Sequence, residues 1–71
     1  MTYPEAVMRA YQYAYYVQGE PILSDYEYDQ FCAAHGLQGG GGSDRDCDYT
    51  DADRQLLRTL RLKLNATKKD L

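Results

Sequence analysis

The chain has 71 residues, 44% of them hydrophobic, with eleven acidic and eight basic side chains for a net charge of −3. That length permits one small domain with a thin core and excludes a self-contained enzyme built on a large cofactor fold, while the composition excludes disorder. No apolar run approaches the roughly 20 residues that span a bilayer. The first ten residues, interrupted by Pro4, Glu5 and Arg9, lack the form of a signal peptide, so a cytoplasmic setting is expected.

Helix is the dominant signal, and no strand or internal repeat is legible. Pro4 suits the first turn of a helix capped by Thr2 or Tyr3, because its missing N–H costs nothing there. Val7, Tyr11, Ala14 and Tyr15 then share one face, and Gly19 and Pro21 end the element. Ser24 with Glu27 three residues on forms a capping box, which predicts a second helix from Asp25 to about His35. Gly36 supplies its stop, and Tyr28, Phe31 and Cys32 fall on one face with Ala34 or His35 near its end.

Residues 38–48 read as a flexible Gly/Asp linker. The glycine run is no phosphate cradle, since no Gly-Lys-Ser/Thr follows and no strand precedes it. Thr50 with Asp53 again has capping spacing, and Leu56, Leu57, Leu60 and Leu64 make the third helix amphipathic. A basic stripe of Arg54, Arg58, Arg61 and Lys63 runs beside the leucines, and the tail from Thr67 is expected to fray.

Charge is divided along the chain. Residues 1–53 hold ten acids and two bases, a net of −8, and residues 54–71 hold six bases and one acid, a net of +5. Such a split marks either a basic helix folding back on an acidic body or a helix that docks on an acidic partner. The basic residues are therefore candidates for contact with a larger protein. Nucleic acid is a poor partner, because the body would repel phosphates and no aromatic residue interleaves with the bases.

Cys32, His35 and Cys47 give too few ligands for a structural zinc site, so no metal is expected and both cysteines are read as free thiols. The carboxylate pairs Asp25/Asp29 and Glu27/Asp29 are read as solvated helix-face acids, because so small a domain offers no deep cleft for acid–base chemistry.

Six of the eight tyrosines lie between Tyr11 and Tyr28. Within that stretch Tyr15, Tyr16 and Val17 precede Pro21, then Ser24, Asp25, Glu27, Tyr28 and Asp29. In this register the chain from about residue 3 to residue 37 resembles the N-terminal Ia domain of NAD-dependent DNA ligases. The resemblance implies a helical hairpin over 1–37; with the linker over 38–48 and a basic amphipathic helix and tail over 49–71, read from composition and periodicity, the expected organisation is all-α. It also implies that Tyr15, Tyr16, Asp25, Tyr28 and Asp29 match the residues that grip the nicotinamide mononucleotide half of NAD. An oxidised nicotinamide ring is cationic, and a tyrosine face attracts a cation by roughly 0.5–2 kcal/mol.

The ligase family reacts through a lysine in a Lys-x-Asp-Gly motif. Here Lys68-Lys69-Asp70-Leu71 puts leucine where glycine belongs, so no catalytic activity is expected. Three roles follow: a non-catalytic protein-interaction module, a binder of NAD or nicotinamide mononucleotide, or a decoy for a ligase. In size and acidic character the chain is also similar to small bacteriophage regulators that bind host RNA polymerase and inhibit transcription, which makes the first role the leading expectation.

Overall fold

A computed structural model describes residues 2–38 and 42–69, with side chains as far as Leu64. The fold is all-α: α1 spans Tyr3–Gln12, α2 Asp25–Ala34 and α3 Asp51–Lys69, with no strand among the described residues.

Local chemistry sets the helix ends. Thr2 Oγ1 accepts the Glu5 N–H at 3.3 Å, and Pro4 sits in the first turn of α1. Ser24 and Glu27 form the expected capping box, with bonds of 3.1 and 3.2 Å, an arrangement worth about 1 kcal/mol. Gly36 adopts φ +65°, which lets the Leu37 N–H reach the Cys32 carbonyl at 2.8 Å and the Gly36 N–H reach that of Ala33 at 3.3 Å. Thr50 and Asp53 cap α3 reciprocally, at 2.9 and 3.3 Å.

The exit of α1 departs from the expected α-helix. Tyr13–Val17 form a π turn, in which the Gln18 N–H bonds the Tyr13 carbonyl five residues back at 3.2 Å. Gly19 at φ +67° then ends the helix. The wider turn changes the angular register beyond Gln12. Val7 and Ala14 are buried and Tyr11 is half-buried, but Tyr15 stays 47% exposed, and Ala10 and Tyr13 take the inner positions.

Helix α1 is the central element. Tyr11 meets Phe31 edge-on at 5.3 Å and Gln12 reaches Tyr28, so α2 runs antiparallel to α1. In α2 Cys32 is buried, Tyr28 and Phe31 are half-buried, and Ala34 and His35 are exposed. On the other flank Arg9 pairs with Asp53 and Gln18 with Arg61, so α3 runs parallel to α1. The core joins Ala10, Tyr13 and Ala14 to Tyr49 and Leu57, with Val17, Ile22, Leu56 and Leu60 packed around them. The third helix therefore docks on the first through the leucines that its periodicity singled out. Helix α3 continues to Lys69; the tail residues Asp70 and Leu71 lie outside the described residues.

The linker reading holds only for composition. Glycines 39–41 lie outside the described residues, but 42–48 are bound to the body and include a 3-10 turn over Asp46–Asp48. The Tyr13 hydroxyl donates to Asp46 Oδ1 at 2.8 Å, Arg9 Nη2 donates to the Asp48 carbonyl at 2.8 Å, and the Tyr49 hydroxyl donates to the Ser43 carbonyl at 2.6 Å. Ser43 Oγ also donates to Asp48 Oδ2. Asp46 is thus held by Tyr13 of the π turn and Arg54 of α3, and the Asp48 backbone by Arg9 of α1. No helix among the described residues is long and apolar enough to cross a membrane.

Candidate functional site

The hairpin encloses an open cleft of about 360 Å³ between the end of α1, the 21–23 turn and the start of α2. That volume lies in the range of small-molecule sites, about 300–1,000 Å³. All five residues singled out in the sequence, Tyr15, Tyr16, Asp25, Tyr28 and Asp29, line it. Chain turns bring them together: the π turn carries the first two, and the capping box starts α2 so that Asp25, Tyr28 and Asp29 share one face. Tyr11 and Gln12 complete the α1 wall, and Pro21, Ile22 and Leu23 form the turn wall.

The tyrosines differ in setting. Tyr15 and Tyr16 pack edge to face with centroids 4.8 Å apart, and both stay exposed. Tyr28 is half-buried, and its hydroxyl accepts a bond from Gln12 Nε2 at 3.0 Å. Burial pushes the Tyr28 hydroxyl up to about 12 against the opposing effect of the Gln12 bond, so it remains a neutral donor throughout the physiological range. Asp25 and Asp29 are exposed and accept no side-chain bond among the described residues, which leaves their oxygens available to ribose hydroxyls.

Gln12 was missed in the sequence. It holds Tyr28 in place and also meets the strap: a Cβ on Gly42 would stand 2.9 Å from Gln12 Cβ and 3.0 Å from Tyr16 Cδ2. No local pattern announces either contact.

The basic residues of α3 divide. Arg54 bonds Asp51 and Asp46 at 3.0 Å each and lies over the Tyr13 ring at 5.6 Å; Arg61 donates to Gln18 Oε1 at 2.8 Å and to the Glu20 carbonyl at 2.7 Å. Both therefore fasten α3 to the acidic body. Arg58 is exposed and makes no hydrogen bond or ion pair among the described residues, and Lys63 is exposed but engaged. Arg54, Arg58 and Arg61 line a second, shallow groove with Tyr13, Leu57 and Leu62.

Another polar cluster serves assembly. Asp53 is buried, receives Arg9 Nη2 at 3.1 Å and Arg9 Nε at 3.2 Å, and also caps α3. Burial works to raise its pKa, but the Arg9 guanidinium and the Thr50 amide and hydroxyl together hold the carboxyl below its ordinary value. Asp46 is held low as well, first by the Tyr13 hydroxyl and then by Arg54. Arg9 also lies over the Tyr49 ring at 5.3 Å, and Tyr49 meets Tyr13 edge-on at 5.2 Å.

Cys32 is buried and Cys47 exposed, both free, and no group of three or more metal-ligating side chains occurs among the described residues. The chain matches no protein-family model, no curated protein and no solved structure. The ligase resemblance thus rests only on the sequence residues that carry it.

Proposed function

We propose that the protein is a non-catalytic recognition module that binds the nicotinamide–ribose part of NAD or nicotinamide mononucleotide in the hairpin cleft. One observation carries this reading: five residues chosen for their resemblance to a nicotinamide site line a single cleft of about 360 Å³. The Tyr15 and Tyr16 rings offer faces to the cationic ring, Asp25 and Asp29 offer acceptors to the ribose hydroxyls, and Tyr28 offers a donor held by Gln12. A bound nicotinamide nucleotide would supply no chemistry here; the module would capture it, present it or withhold it from a ligase.

Titration of the full chain with nicotinamide mononucleotide should shift the amide resonances of Tyr15, Tyr28 and Asp29. Asp29→Asn should weaken binding about tenfold, the size of one charge-assisted bond. Unchanged spectra at millimolar ligand would discard the proposal.

A second reading is favoured by the outer face of α3, where Leu62 is 63% exposed beside Arg58. This surface suits an acidic protein partner, and a cytoplasmic regulator of the bacteriophage kind, acting on bacterial RNA polymerase, would use it to mask a site needed by another factor. Of the four basic candidates Arg58 gives the clean test, because Arg54 and Arg61 also hold the fold. Affinity capture from bacterial lysate should recover polymerase subunits with the native chain and lose them with Arg58→Glu; equal recovery would dismiss this surface.

A further inference from the structure

Among the described residues, the lining of the hairpin cleft includes two carboxylates, Asp25 and Asp29, and no lysine, arginine or histidine. A nicotinamide mononucleotide carries a cationic ring and a phosphate of about two negative charges, so its two ends meet this cleft with opposite sign. The nearest donors that a phosphate could use are partly committed elsewhere. At the N-terminus of α2 the Glu27 N–H is taken by Ser24 Oγ, and the Glu27 carboxylate closes back on the Ser24 N–H. Arg61 reaches the chain at Glu20, next to Pro21 of the turn wall, but its guanidinium is bonded to the Glu20 carbonyl and to Gln18 Oε1.

We infer that the cleft selects the phosphate-free, cationic form of its ligand: an N-ribosyl pyridinium such as nicotinamide riboside, with a phosphate on the ribose acting as a penalty instead of a handle. This inference rests on the nicotinamide reading of the cleft and narrows it to one ligand class. Ring charge is stabilised by the tyrosine faces and the two carboxylates together. The same carboxylates repel a phosphate held a few ångströms away in solvent-exposed surroundings.

The test compares three probes on the full chain by calorimetry: nicotinamide riboside, nicotinamide mononucleotide, and the neutral dihydronicotinamide riboside. In low salt the riboside should bind about tenfold more tightly than the mononucleotide, and the gap should shrink several-fold in 0.5 M salt as screening sets in, to about the level of shape alone. The dihydro riboside should bind several-fold more weakly than its oxidised form, having lost the cation. Asp29→Asn, with helicity checked by circular dichroism, should narrow the riboside–mononucleotide gap. Equal or tighter binding of the mononucleotide would overturn the inference and leave the nicotinamide site standing. A gap indifferent to both salt and Asp29→Asn would also overturn it. Failure of the riboside and the mononucleotide alike would remove the nicotinamide reading itself.

Discussion

At Gly42 the backbone lies so close to α1 that a Cβ would stand 2.9 Å from Gln12 Cβ and 3.0 Å from the Tyr16 ring. Neither neighbour is the loose end of a flexible chain: one is a Cβ fixed to the helix, the other a ring edge on the cleft wall. Gly42→Ala should therefore destabilise the protein by about 1–3 kcal/mol, the usual effect of forcing a methyl group into a packed site. Chemical denaturation will measure that loss, and nicotinamide mononucleotide affinity should fall with it because Gln12 and Tyr16 must shift. In the sequence this glycine is one of four alike, and composition assigns all of them to a connector. Only the fold distinguishes it, because what crowds it lies far back along the chain. The tyrosines and aspartates of the cleft were legible only through their resemblance to a family pattern, and local spacing adds that Asp25, Tyr28 and Asp29 share one face of α2.

Between elements, the docking of α3 on α1 depends on Arg9 and Asp53. Arg9→Met removes the guanidinium and leaves a buried carboxylate supported only by its cap, which should cost about 3 kcal/mol. Both Asp53 and Asp46 are held below their ordinary values, so each favours the folded state above the usual carboxylate range, about pH 4, and that contribution disappears as pH falls through the lower folded values. Acid should accordingly loosen the α1–α3 contact, seen as faster amide exchange at Tyr49 and Leu57. In Arg9→Met the Asp53 share of this acid sensitivity should shrink, because only the Thr50 bonds then hold its carboxyl low. Helix boundaries were readable because caps are local: Ser24 with Glu27, Thr50 with Asp53, and Gly36. The pairing of Arg9 with Asp53 was not, since the capping spacing already explained Asp53 and nothing nearby asked for a cation. The anchoring of the 42–48 segment was missed on the same ground, because Tyr13 and Arg9, which bond Asp46 and the Asp48 carbonyl, lie far back along the chain.

For the whole molecule, the hairpin and the third helix share one core. Tyr49 and Leu57 close over Ala10, Tyr13 and Ala14, so the segment 1–37 taken alone exposes the inner face of α1. A 1–37 peptide should show much less helicity per residue than the full chain by circular dichroism, although it contains every residue of the cleft. A fully helical peptide would show instead that α3 is an accessory to an independent hairpin. The π turn has a consequence of a different kind. Its five-residue spacing means that the chain spends one residue more than an α-helix needs to arrive at Gly19. A chain one residue shorter could make the same exit with ordinary hydrogen bonds, whereas drawing the full-length turn into an α-helix would rotate every later side chain by about 100°. Tyr15 and Tyr16 would no longer face the start of α2 as a pair. The surplus residue works as a phase shift between the part of the helix that builds the core and the part that lines the cleft, so the two faces are set separately along one continuous helix.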